Sequence, residues 1–183
     1  MDKVASTDAE LGELLAKSSP WVLHLFMGSL ARHALEQIKP LLMKTHQACP
    51  PDEVILVKGR WLAQQSTDEE LRSAQSRLVM YLFWSFPSQL TEVLMCSSWA
   101  PGVMPLTAED EVLAEELLSS TSALEATLRT ADRALHAIRF FHVEAHTPEA
   151  EIGSAVASEL AWQRRRLTTL IRREGERPGR PGL

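Results

Sequence analysis

Six histidines, at positions 24, 33, 46, 136, 142 and 146, are the side chains of this sequence best suited to holding a metal or moving a proton near neutral pH. His142 and His146 are four residues apart, so on a helix both imidazoles would project from one face, as a helical zinc-ligand pair requires. Two ligands do not make a site. Di-iron bundles also place a glutamate three residues before each ligating histidine, and none of the six has one. A positive partial charge near the carbonyl end of a helix accounts for His142 and His146 equally well. The expectation is therefore no metal and no other cofactor.

Covalent catalysis finds no better support. There is no Gly-x-Ser-x-Gly elbow, and neither Cys49 nor Cys96 has local residues that would lower a thiol pKa. Gly12, Gly28, Gly59, Gly102 and Gly153 are isolated, whereas a phosphate cradle needs a glycine-rich turn ahead of a helix. No catalytic residues are assigned and the chain is read as a non-enzyme. The alternative is a ligand- or metal-binding bundle enzyme with a pocket assembled from scattered residues such as His136, Arg139, His142 and Glu144.

Charge is segregated. The net charge is -5, but residues 164–183 carry +5, which leaves -10 on residues 1–163. Arg164, Arg165, Arg166, Arg172 and Arg173 could neutralise phosphates and so bind nucleic acid. Cations also belong at a helix C-terminus, three consecutive arginines cannot share one helical face, and the acidic remainder repels a polyanion. Nucleic acid is therefore the lesser alternative. Glu109, Asp110, Glu111, Glu115 and Glu116 crowd the start of a long helical pattern, where they cap the helix or dock a basic partner. Trp99, Val103, Met104 and Leu106 make an apolar, proline-stiffened loop that either plugs the core or presents a contact surface.

The elements that must position these groups are all helical. Thr7-Asp-Ala-Glu10, Thr67-Asp-Glu-Glu70 and Thr107-Ala-Glu-Asp110 have the spacing in which hydroxyl and carboxylate satisfy each other's first-turn N–H groups. Ser19-Pro20 caps a helix whose apolar stripe runs Leu23, Phe26, Met27, Leu30, Ala34, Ile38 and Leu41, with Pro40 expected to kink or end it. The helix opened at Thr67 becomes apolar nearly all round at Met80, Tyr81 and Trp84, which predicts a place in the middle of the bundle. Leu113 to His142 and Ile152 to Leu170 continue the three-four spacing, with Ser119-Ser-Thr-Ser122 as an interruption. The short connection at Thr147-Pro148 makes the last two helices an antiparallel hairpin. No segment alternates with period two.

A chain of 183 residues with 45% hydrophobic content can build one core without staples. Its two cysteines are read as reduced thiols, and Asp2, Asp8, Glu10 and Glu13 leave no basic-then-apolar leader, so a cytoplasmic location is expected. The run Leu78–Trp84 is far too short to span a bilayer, so no membrane association is expected. The fold expected is all-α, a compact bundle of about six helices ending in a long antiparallel hairpin. One domain covers residues 1–173, followed by a disordered Gly/Pro/Arg tail over 174–183.

Pro20-Trp-Val22 opening a helix, then Lys58-Gly-Arg-Trp61, then Ser66-Thr-Asp-Glu-Glu-Leu-Arg72-Ser-Ala74, resembles small uncharacterised bacterial helical proteins, including helical immunity proteins of toxin systems. The similarity covers about residues 20–106, with Val79-Met-Tyr-Leu-Phe-Trp84 standing where those families carry an alanine-rich helix. The resemblance implies a binding role and no catalytic residues. The function expected is a non-enzymatic protein-binding module of adaptor, chaperone or immunity type that uses an acidic or apolar surface. Its contact residues would be Trp99, Val103, Met104, Glu109, Asp110, Glu111, Glu115 and Glu116.

Overall fold

Seven helices carry the described residues of the computed structural model, which are 9–45, 52–82, 88–105 and 118–176. In chain order they are α1 (Ala9–Ala16), α2 (Pro20–Thr45), α3 (Glu53–Leu62), α4 (Asp68–Leu82), α5 (Ser88–Ser97), α6 (Ala123–Glu144) and α7 (Glu149–Gly175). Among the described residues there is no β-strand, only an isolated bridge between Ala100 and Val103. The all-α expectation holds, and no described helix is long and apolar enough to cross a membrane.

Local chemistry sets the helix starts. Thr67 Oγ1 accepts from the Glu70 N–H at 3.2 Å while the Glu70 carboxylate accepts from the Thr67 N–H at 2.9 Å, the reciprocal cap read from the sequence. A second such cap opens α6. Ser122 Oγ accepts from the Glu125 N–H at 3.2 Å, and the Glu125 carboxylate accepts from the Thr121 N–H at 2.7 Å. The serine-rich interruption is thus the cap itself, and the long pattern does not run unbroken to Glu144. The caps read at Thr7 and Thr107 lie outside the described residues. Ser122→Ala is expected to cost about 1 kcal/mol in urea unfolding, with an unchanged m-value, because one first-turn N–H loses its acceptor.

Of the two outcomes expected at Pro40, a kink or an end, the helix does not end there: α2 continues to Thr45. Leu41 and Leu42 beyond it are buried, and packing of that last turn offsets the one backbone bond that proline removes. The most enclosed helix is α2; the Tyr81 side chain and Trp84, on which the central place expected for α4 also rested, lie outside the described residues. Helix α2 packs against α3, α5, α6 and α7, chiefly α6, whereas α4 packs against α3 and α5 and leaves Met80 exposed.

Ion pairs and hydrogen bonds fix the helix directions. Ser19 Oγ donates to Glu174 Oε1, Arg166 Nε donates to Ser29 Oγ at 3.1 Å, and His33 stacks on Trp162, so α7 runs antiparallel to α2. The four-residue corner 145–148 makes α6 and α7 the expected antiparallel hairpin, which leaves α6 parallel to α2. Trp61 at the end of α3 meets His24 near the start of α2, so α3 is antiparallel to α2. The Trp61–Asp68 hydrogen bond and the Arg77–Glu53 ion pair return α4 along α3.

Two apolar clusters fill the interior. The larger joins α2 to α6 around Met27, Ile38, Leu71, Leu78, Leu94, Ile138 and Phe141. The smaller seats α1 and the end of α7 on the first turns of α2, through Leu11, Leu15, Phe26, Leu30, Ala131, Leu167 and Leu170. The boundary expected at 173 moves: α7 runs through Gly175, and Glu174 is tied to Ser19 rather than free in a tail. Residues 177–183 lie outside the described residues.

Candidate functional site

The loop after α5 packs inward. Trp99 and Val103 are buried and Met104 is partly buried against the larger cluster. Trp99 Nε1 donates to the carbonyl of Ser120 at 3.0 Å, and the Val103 N–H reaches the Ala100 carbonyl through a turn with Gly102 at φ 71°, a backbone that favours glycine. Of the two readings of this loop, plug or contact surface, the packing is that of the plug. Its apolar side chains are stabilised by leaving water. Leu106 and the acidic residues Glu109, Asp110, Glu111, Glu115 and Glu116 lie outside the described residues.

Around Trp99 the structure assembles a buried polar group that its sequence positions did not announce. Lys58 is 2% exposed; its Nζ donates to the Trp99 carbonyl and stands 4.2 Å from the centroid of the Trp61 ring. Burial pulls this amine down to about 7. His24 stacks on Trp99 at 5.6 Å and meets Trp61 edge-on at 5.9 Å. Burial, and then the charge of Lys58, lower its ring to about 3, so it is neutral, and its Nδ1 has no hydrogen-bond partner. Gln75 Nε2 donates to the Ser98 carbonyl at 3.1 Å. An amine that is half neutral at pH 7 has the chemistry of a nucleophile, but one so enclosed acts as a post that ties α3 to the plug. The one sequence signal was Lys58 three residues before Trp61, a spacing that puts cation and ring on one helical face.

A second polar group lies in the seam of α2 and α7. The Glu159 side chain is buried, and His33 Nε2 stands 3.1 Å from its Oε2, within ion-pair distance but off the line of a hydrogen bond, so that Oε2 has no hydrogen-bond donor. Gln163 Nε2 donates to Glu159 Oε1 at 3.0 Å, and the His33 ring lies flat on Trp162 at 3.7 Å. Burial pushes the Glu159 carboxyl up to about 7 against the downward pull of Gln163. Burial also lowers His33, opposed by the charge of Glu36. Near pH 7 the carboxyl is therefore about half protonated, beside a ring whose charged form is disfavoured by burial.

The five arginines picked from the sequence separate. Arg164 pairs with Glu10 at 3.2 Å and Arg172 reaches Glu176 at 4.0 Å, while Arg165 is exposed. Arg166 turns toward α2 and Ser29, and Arg173 is exposed one heptad further on. The pairing of His142 and His146 also dissolves. Helix α6 ends at Glu144, and His146 takes φ 54° while its N–H closes the helix end on the Val143 carbonyl. His142 Nδ1 meets Thr147 Oγ1 at 3.2 Å instead. His136, Arg139 and Glu144 are exposed, and among the described residues no three His, Cys, Asp or Glu side chains gather as metal ligands. Cys96 is buried, and burial pushes its thiol up to about 12, so it packs as a small, uncharged side chain.

Among the described residues, the large apolar side chains left in water share one end of the bundle. Met43 lies at the C-terminal end of α2, Leu56 in the first turn of α3, Met80 near the end of α4 and Val143 at the end of α6. Their exposure runs from 51% at Val143 to 78% at Met43. The helix directions place all four of these ends at the same end of the bundle. No protein-family model, curated protein or solved structure matches the chain.

Proposed function

We propose that this chain is a non-enzymatic, protein-binding helical bundle of the adaptor, chaperone or immunity kind, working in the cytoplasm, whose contact surface is the apolar end formed by Met43, Leu56, Met80 and Val143. One observation carries the reading: four exposed large apolar side chains from four different helices lie at the same end of the bundle, where α2, α4 and α6 end and α3 begins. Scattered exposed apolar residues need no explanation, but several at one end mark a surface that gains by leaving water. Methionine suits such a surface because its flexible thioether adapts to a partner's shape. The buried thiol of Cys96 is in keeping with a reducing compartment.

The test is recovery of a partner from the native host at physiological salt with wild type and with Met43→Glu/Leu56→Glu. Both positions face water, so the double variant should keep its unfolding free energy within about 0.5 kcal/mol per substitution. A partner held by wild type and lost by this folded variant supports the reading. A partner held equally by both, or none held by wild type, overturns it.

A further inference from the structure

The groove between α2 and α7 carries guanidinium groups from both helices. Arg166 is fixed over α2 by its hydrogen bond to Ser29 at 3.1 Å. Arg32 lies one turn along α2 from Ser29, and Arg173 lies two turns along α7 from Arg166 on the same face. The contacts Ser19–Glu174, Ser29–Arg166 and His33–Trp162 set the register, which brings Arg32 level with Trp162. Elsewhere on the described surface Arg77, Arg129, Arg133, Arg164 and Arg172 each have a carboxylate within 4.0 Å. Among the described residues Arg32, Arg166 and Arg173 have none, as is also true of Arg60, Arg72, Arg139 and Arg165, but these three line up along one groove. Glu174, beside Arg173, is taken by Ser19, and Glu36, one turn beyond Arg32, acts on His33.

We propose that Arg32, Arg166 and Arg173 form a carboxylate-reading strip along the α2–α7 groove that binds an acidic segment of a partner protein. Partial burial and the neighbouring charges of Arg173 and Arg32 all disfavour the cation on Arg166, a like-charge cost that carboxylates laid along the groove relieve. Guanidinium groups take carboxylates two bonds at a time, so the strip selects acidic side chains as well as attracting them. At 1.5 Å per residue the strip spans about 16 Å, the reach of three helical turns or about five extended residues. A polynucleotide is the poorer fit. Such a short strip neutralises few phosphates, and a chain carrying -10 over residues 1–163 repels the rest of a long polyanion.

The experiment measures anisotropy of a fluorescein-labelled glutamate-rich peptide, its glutamine counterpart and a labelled DNA duplex, at low and physiological salt. The expected result is binding of the glutamate peptide, weakened by salt and at least tenfold tighter than the glutamine peptide or the duplex. It should be lost in Arg32→Gln/Arg166→Gln/Arg173→Gln. Should the triple variant unfold, Arg32→Gln/Arg173→Gln, at two exposed positions, must still weaken binding several-fold. Equal binding of the two peptides, indifference to these substitutions, or preference for the duplex overturns the proposal. Met43→Glu/Leu56→Glu should leave peptide binding unchanged, so failure of the strip and failure of the apolar end are read separately.

Discussion

Trp99→Ala is expected to lower the unfolding free energy by about 4 kcal/mol, the range for deleting a large buried aromatic. For a chain of this length that is a fall of about 10 °C in Tm. The indole is buried in the larger apolar cluster, stacks on His24 of α2 and donates to the Ser120 carbonyl, so alanine leaves both a cavity and an acceptor without a donor. Trp99→Phe separates the two contributions. It keeps most of the ring volume and loses the N–H, for an expected cost of about 1 kcal/mol. Urea unfolding of the three proteins is the measurement. A loss below 1 kcal/mol in Trp99→Ala would return the loop to the surface and with it the contact role read from the sequence.

The second large effect is a gain of stability on the alkaline side. Lys58 titrates at about 7 when folded against an ordinary value of 10.5, so above pH 7 the unfolded chain holds a proton that the folded chain has released. Stability from this amine is fully present above the unfolded value and is lost as pH falls through the folded one. Between pH 7 and 9 it should therefore raise the unfolding free energy by about 2 kcal/mol. Above pH 9 the window closes, because the buried Cys96 thiol, held up at about 12, begins to work in the opposite direction. On the acid side His24, lowered to about 3, and Glu159, raised to about 7, offset each other as pH falls. Lys58→Met keeps the volume and removes the charge, so its stability should be flat from pH 7 to 9 and above that of wild type at pH 7. Wild-type stability that is equally flat there would place the amine in water.

How far the fold was legible in the sequence can be seen element by element. Capping chemistry and apolar spacing within one segment act through the nearest few residues, so Thr67 with Glu70, the stripe of α2 and the final hairpin were readable. Pro40 shows the limit: its local preference to stop a helix was overridden by the burial of Leu41 and Leu42 against distant residues. Helix α4 shows another. Its apolar second half implied a central place, yet Met80 faces water, because the share of a helix that is covered depends on which neighbours arrive.

The candidate sites were less legible, for the same reason. Lys58 and Trp99 are 41 residues apart, and Arg166 and Ser29 are 137 apart, so nothing in the spacing along the chain could pair them. By itself the sequence determined the all-helical class, one well-placed cap, the hairpin at the end and the excess of negative charge over residues 1–163. Those follow from hydrogen bonds and periodicities that span a turn or two of chain, and from charges that need only be counted. The tertiary structure alone decided that Trp99 is a plug, that His142 and His146 do not share a face, that Lys58 and Glu159 are buried ionisable groups, and which arginines reach carboxylates. Each of these is set by the direction in which whole helices pack and by how completely they exclude water, and solvation energy is felt only once distant segments have met.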